Sequence, residues 1–187
     1  MTTSIEQING LTQGVWTADV SHSHVAWSVR HAGISKVRGT FDSFTSTLTV
    51  GETLEQSVVV ADIDVASVNS KDENRDGHVR GTDFFDAENF PTMSFRSTSV
   101  SGTQDDLTIT GELTIRGTTQ EVTLTGELSG VATDPFGITR TGVTASTSIS
   151  RKAFGITWNA ALEAGGVMVS DKVTIDLDVE YTAPQAA

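Results

Sequence analysis

The chain has 187 residues. That is the size of one domain, and a chain this long buries roughly 70% of its unfolded surface without a disulfide or metal staple. It has no cysteine, which removes disulfides, thiol nucleophiles, Cys-ligated zinc and iron–sulfur clusters. Twelve basic against 24 acidic residues leave a net charge of −12 and no basic stripe, which argues against nucleic acid; no apolar run approaches the ~20 residues of a membrane helix.

The opening residues 1–7 carry neither a basic region nor the apolar stretch of a secretory signal. They read as a loose leader, residues 1–14, of a cytoplasmic protein, or as the start of a mature secreted form whose signal has been removed. The 28 Thr and 20 Val make up about a quarter of the chain. Both are β-branched and favour pleated strands.

A first short strand is expected around Trp16 and Ala18. Residues 24–32 alternate, with Val25, Trp27, Val29 and His31 on one face. Val37, Gly39 and Phe41 continue a third strand. The parity then slips to Phe44, Ser46, Leu48 and Val50, which predicts a β-bulge near Asp42-Ser43. Val59, Ala61, Ile63 and Val65 form the next inner face.

Ser70-Lys71-Asp72-Glu73 reads as a capping box, with Ser70 as the N-cap of a short helix reaching Arg80 and stopped by Gly81. On that helix Asp72, Glu73 and Asp76 read as capping and solvation charges. Phe84, Phe85 and Phe90 follow within seven residues; loops are normally polar, so these rings should cover something apolar.

Met93 and Phe95 resume the strands, and residues 107–115 give the cleanest alternation in the chain. Turns are expected at residues 116–119 and 134–137. Inner faces follow at Val122, Leu124 and Leu128; at Val143, Ala145, Thr147 and Ile149; and at Val173, Ile175, Leu177, Val179 and Tyr181. Residues 183–187 read as a frayed tail.

Eight or nine strands with one wet face pack on a second sheet or close on themselves, and the bulge and single helix favour an eight-stranded barrel. Early strands and the helix loop carry aromatics; later strands carry Val, Ile, Leu and small residues. A slender cavity and a fully packed core are both compatible with that pattern.

No nucleophile elbow, P-loop or dinucleotide fingerprint is present. His22 and His24 could share a face and meet one metal, but the pair lacks a third ligand and no metal site is expected. His31 ends an apolar row. It is either a core histidine held by a hydrogen bond or the polar anchor of a pocket. The run from Arg151 to Trp158 sets Arg151 and Lys152 beside Phe154 and Trp158. It is either a hairpin plugging a barrel end or a rim where cations meet an anionic head group.

Several stretches resemble the YceI-like family in order along the chain. Asp19-x-x-His22-Ser23-x-Val25-x-Trp27-x-Val29-Arg30-His31 and Val37-Arg38-Gly39-x-Phe41 resemble its opening. Arg75-Asp76-x-His78, Asp83-Phe84-Phe85-Asp86 and Phe90-Pro91-Thr92-Met93-x-Phe95 resemble its middle. Residues 107–117 and Arg151-x-x-Phe154-Gly155-Ile156-x-Trp158 resemble its later motifs. The resemblance runs from about Trp16 to Tyr181, with Trp27 where a Phe is more usual.

It implies an all-β fold, an extended lipocalin-like antiparallel barrel over residues 15–182 with one short helix. It implies a long apolar interior for an isoprenoid quinone, a polyprenyl phosphate or another long amphiphile, with no shared catalytic set and no cofactor. The expected lining is Trp27, Val29, Phe41, Phe44, Phe84, Phe85, Met93, Phe95, Phe154 and Trp158, and the expected head-group contacts are His31, Arg38 and Arg80. An enzyme acting on such a ligand, with His31 as acid–base, and a structural protein with a closed core are the alternatives. A homodimer is left open.

Overall fold

A computed structural model of the chain describes residues 2–5, 8 and 10–184. Twelve β-strands and one α-helix account for most of it. The strands are β1 (Gly14–Ala18), β2 (His24–His31), β3 (Ser35–Phe41), β4 (Phe44–Val50), β5 (Val58–Asp64), β6 (Val68–Asn69), β7 (Thr92–Gly102), β8 (Leu107–Ile115), β9 (Thr118–Leu128), β10 (Ala132–Thr133), β11 (Thr139–Ser150) and β12 (Val169–Thr182). The helix is α1 (Glu73–Arg80).

Eleven of these strands form a closed antiparallel barrel of eight staves, and β10 pairs only with β11 at its edge. Five staves are single strands: β7, β8, β9, β11 and β12. The other three are broken. β1 and β2 lie end to end along β12, through Thr17↔Thr182 and Val25↔Leu177. β3 and β4 are split at Asp42-Ser43, where the sequence parity slips. β5 and β6 are split by a 3-10 turn at Val65–Ser67. The ring closes where β11 pairs with both β9 and β12.

The break at Asp42-Ser43 is clamped by the turn beside it. Asp42 N donates to the Ser67 carbonyl at 3.2 Å and Ser43 N donates to Ser67 Oγ at 3.0 Å. The shift lets Phe41 and Phe44, three apart, both point inward, and both are buried. The β8–β9 hairpin turns on two residues, Arg116 (φ 50°) and Gly117 (φ 73°). Two positive φ values match the twist of the flanking strands, and Thr118 and Thr119 already belong to β9.

The two barrel ends differ. At one end Trp16, Leu48, Val50, Leu54, Val100, Leu107 and Leu128 are buried and close-packed, leaving a void of only about 20 Å³. Ile5, Ile8 and Leu11, expected in a loose leader, are buried there too. Backbone bonds from Ile5 N to the Glu52 carbonyl (3.1 Å) and from Leu54 N to the Thr3 carbonyl (3.0 Å) stitch the N-terminal segment to this end. The frayed tail expected over residues 183–187 falls partly on 185–187, outside the described residues.

At the other end the ring opens. β6 reaches β3 only at Thr40 and Phe41, so the rest of β3 has no strand on its second side. Helix α1 and the loop after it span this gap. Phe85 meets Phe41 edge to face at 5.7 Å, and Arg116 donates to the Phe84 carbonyl from across the opening at 3.1 Å. Phe84 and Phe85 are thus the apolar cover that the ring-rich loop implied, whereas Phe90 lies apart from it beside Gly117 of the β8–β9 turn.

The helix begins two residues later than the sequence suggests. Asp72 is the N-cap, accepting from Arg75 N at 3.0 Å. Ser70 is occupied otherwise. Its N–H and hydroxyl both donate to the buried Asp76 carboxylate, while Arg75 donates to its hydroxyl and carbonyl, each at 2.7 Å. Asp76 therefore anchors the helix start and is not a solvated charge.

Candidate functional site: an apolar cavity under the helix

The barrel encloses a cavity of about 350 Å³ at its open end, within the range of small-ligand sites. Its long wall is β12, whose alternate residues Val173, Ile175, Leu177, Val179 and Tyr181 all line it. The eight residue-to-residue steps from Val173 to Tyr181, at about 3.3 Å each, make this wall about 26 Å long. The cavity is therefore elongated.

Two glycines bring the rings close to the wall. Trp27 pairs directly with Gly39, and a Cβ at 39 would fall 2.5 Å from the indole. A Cβ at Gly111 would likewise fall 2.5 Å from the Phe95 ring. Each ring lies against the sheet because its neighbour has no side chain. The Trp27 Nε1–H is buried without a hydrogen-bond partner, an unusual condition for a polar group.

Polar atoms are few and most are committed. At the floor Tyr181, 3% exposed, shares a hydrogen bond with Ser46 at 2.8 Å, and Ser46 donates to the Val60 carbonyl at 3.0 Å. Burial pushes the Tyr181 phenol above its ordinary pKa, with the Ser46 bond opposing in part. This phenol stays protonated at neutral pH.

At the mouth, Arg151 is 4% exposed yet makes no ion pair with a described residue. Its guanidinium donates to four backbone carbonyls, those of Ile156 (3.0 Å), Trp158 (2.8 Å), Val169 (3.3 Å) and Ser170 (2.9 Å). Burial lowers its pKa, and Asp171 nearby opposes that. A buried cation is tolerable when its donors are met, and four of the five guanidinium N–H groups are. Arg151 thus ties the segment after β11 to the start of β12 and seats Trp158 over the cavity. This answers the rim-or-plug question for Arg151: it is a staple. Lys152 is exposed.

Helix α1 turns Arg75, His78 and Val79 toward the cavity, the one-face spacing of a helix. His78 stands between Phe84 and Trp158, edge to face with both at 5.1 and 4.8 Å, and bonds Asp83 at 2.9 Å. These three side chains form the aromatic gate of the mouth.

Of the residues the sequence singles out, Trp27, Val29, His31, Phe41, Phe44, Phe84, Phe85, Met93, Phe95 and Trp158 line the cavity. Three lie elsewhere. Arg38 is exposed on the outer face of β3. Arg80 ion-pairs with Glu73 and bonds the Ala66 carbonyl. Phe154 is buried at 2% exposure in the wall behind the cavity. Parity explains Arg38, since 38 is out of phase with Val37. Arg75 and His78 line the cavity without having been expected there, and Arg151, raised by the sequence as a rim cation or part of a plug, lines it too. The i, i+3, i+4 spacing of 75, 78 and 79 was the available signal.

The histidines near the N-terminus bind no common partner. His22 Nδ1 lies 3.0 Å from Asp19, and His24 is exposed. Among the described residues Asp19, His22 and Glu180 form a group of metal-ligand type. The Arg140 guanidinium already bonds both carboxylates, at 2.8 and 2.5 Å, and so occupies the place a cation would take. No helix of the described residues is long and apolar enough to cross a membrane.

Comparison with known proteins agrees with this architecture. Among solved structures, BcnA of Burkholderia cenocepacia superposes with a TM-score of 0.74 at 23% identity, over 87% of this chain and 98% of that one. A YceI protein of Campylobacter jejuni gives 0.70 at 26%, over 83% and 90%. A polyisoprenoid-binding domain from Saccharophagus degradans gives 0.65 at 17%, over 90% and 98%. A UPF0312 protein of Staphylococcus aureus is 35% identical over 170 residues, 89% of this chain and 96% of the relative. The model of the YceI-like domain matches residues 16–181, the barrel from β1 to β12, and the chain belongs to the YceI-like family.

Proposed function

We propose that the protein binds one long apolar chain, an isoprenoid or similar amphiphile such as an isoprenoid quinone or polyprenyl phosphate, inside the barrel and without catalysis. The observation that carries this reading is the elongated cavity along β12, closed by Tyr181 and Ser46 and gated by His78, Phe84 and Trp158. At about 25 cal/mol per Å² of apolar surface removed from water, the tail supplies most of the affinity. The tail lies toward Tyr181 and the head group stays at the mouth, near His31, Arg75 and His78. The Saccharophagus degradans domain, described as polyisoprenoid-binding, shares the fold and supports the ligand class.

Absence of catalysis fits the commitments already described. Arg151 is spent on carbonyls, Tyr181 on Ser46 and His78 on Asp83. An enzyme needs titratable groups converging on a reacting atom; the length of this interior that takes the tail offers carbon, and His31 and Arg75 line it only at the mouth. The test is a titration of the intrinsic tryptophan fluorescence with isoprenoid quinones of increasing tail length, since Trp27 and Trp158 both line the cavity. Affinity that rises with tail length and then levels off supports the reading. Affinity independent of tail length overturns it.

A further inference from the structure

The β2–β3 hairpin carries a cationic face that ligand enclosure uses only at the cavity mouth, where Arg30 touches the lining. Residues 24–41 contain Arg30, Lys36 and Arg38 and no acidic residue, in a chain where acidic residues outnumber basic ones two to one. All three cations are exposed, and none makes an ion pair with a described residue. Arg30 and Lys36 sit directly opposite each other in register. Like charges so placed are destabilising, so this pair costs the fold something.

The hairpin also ends in an exposed apolar tip. Its turn places Ala32 (φ 51°) and Gly33 (φ 71°) in the left-handed region and leaves Ile34 84% exposed. A second tip abuts it. Ala32 N donates to the Met168 carbonyl at 2.7 Å, and neighbouring Val167 is 51% exposed. Met168 and His31 line the cavity, so both tips stand at its mouth.

We propose that this end of the barrel docks on an anionic lipid bilayer, with Ile34 and Val167 entering the interface and Arg30, Lys36 and Arg38 facing lipid phosphates. Charge complementarity selects the partner. The net charge of −12 opposes approach to such a surface everywhere except through a local cationic face. The Val167 turn carries one acid, Glu163, against the three cations of the hairpin, and an apolar tip beside cations suits an interface that is wet and anionic outside and apolar inside. Docked this way, the cavity opens onto the membrane.

The absence of cysteine permits a direct test. Single variants Ile34→Cys and Phe136→Cys are labelled with an environment-sensitive fluorophore. Phe136 is 89% exposed and lies on the turn before β11, at the far end of the barrel, about 40 Å along β12. The probes are vesicles of phosphatidylcholine alone and of equal parts phosphatidylcholine and phosphatidylglycerol, free of isoprenoid, so the outcome is independent of pocket contents.

The label at 34 should shift to the blue with the anionic vesicles and the label at 136 should not. The shift should fade as added salt shortens the Debye length from about 10 Å at 0.1 M toward about 3 Å at 1 M. Co-sedimentation of unlabelled protein with the anionic vesicles should weaken at least about fivefold in Lys36→Glu and in Ile34→Ser. No shift at 34, an equal shift at 136, or sedimentation unaffected by both substitutions overturns the proposal. Retention on an acidic polypeptide without vesicle binding overturns it as well, in favour of a protein partner.

Discussion

The indole of Trp27 lies against Gly39 so closely that a single methyl group at 39 would sit 2.5 Å from the ring and 3.0 Å from the Asn69 carbonyl oxygen. The strand pair β2–β3 is thereby committed to one large ring and one absent side chain. Gly39→Ala should push the indole toward the cavity and strain the β3–β6 contact. The expected cost is about 1–3 kcal/mol, typical of overpacking, with weaker binding of the apolar chain. Denaturant midpoints and a quinone titration on the same variant read both effects.

Trp27→Phe should behave differently. The ring loses area, but the buried Nε1–H without a partner disappears, and leaving such a group unmet costs about 1–3 kcal/mol. The two effects oppose, so stability should change by less than about 1 kcal/mol. A chemical denaturation curve showing a loss comparable with a core truncation would refute the offset.

The hollow and packed ends of the barrel predict opposite mutational responses. Phe85 lines the cavity and is only partly buried, whereas Leu107 belongs to the packed end and is 3% exposed. Phe85→Ala should cost less than the ~3–5 kcal/mol of a packed Phe→Ala and should weaken ligand binding. Leu107→Ala should cost about 3–5 kcal/mol and leave the affinity of the remaining folded protein unchanged. Leu113 lines the cavity and so does not serve as a packed-core reference.

These two ends mark the limit of what alternation shows. The period of two identifies which face of β8 is buried, and its bounds, residues 107–115, match the strand. It identifies a face without saying whether another side chain fills the space in front of it. Val179 looks like Val100 in sequence, yet Val179 borders the large cavity and Val100 only a void of about 20 Å³ at the closed end. The parity slip at Asp42-Ser43 was legible because a slip is itself a period. The docking of Ile5, Ile8 and Leu11 was not, since three spaced apolar residues in a polar segment set no strand pattern. Ser70 was misassigned as N-cap because the buried Asp76 that claims it lies six residues on, outside the motif.

Arg151 should be intolerant of substitution. Its fork serves four carbonyls that hold Trp158 and the start of β12, and lysine offers no planar fork. Arg151→Met should cost about 2–4 kcal/mol, since buried acceptors are left unmet, and Arg151→Lys should recover only part of that. The Trp158 environment, read by fluorescence, should change in both.

The acid limb of stability should depend on Asp19. Ser21, Arg140 and His22 hold its carboxyl well below the usual range, against a smaller opposing effect of burial. Arg140 also pairs with Asp134 and Glu180. Because the folded carboxyl ionises at lower pH than the unfolded one, near 3.9, its contribution is full above about pH 5 and is lost as pH falls below about 4. Asp19→Asn should cost about 1 kcal/mol at neutral pH and flatten the loss of stability between about pH 5 and 2. Thermal melts across that range check the sign.

The central claim is that the cavity along β12 holds one apolar chain per protein. Native mass spectrometry of the protein mixed with an isoprenoid quinone measures this most directly, followed by organic extraction of whatever the freshly purified protein carries. The account predicts a complex of one quinone per chain that saturates, competes with any co-purified lipid, and is reduced in Phe85→Ala. A spectrum showing only free protein at saturating quinone, with nothing extractable from the purified material, would contradict it.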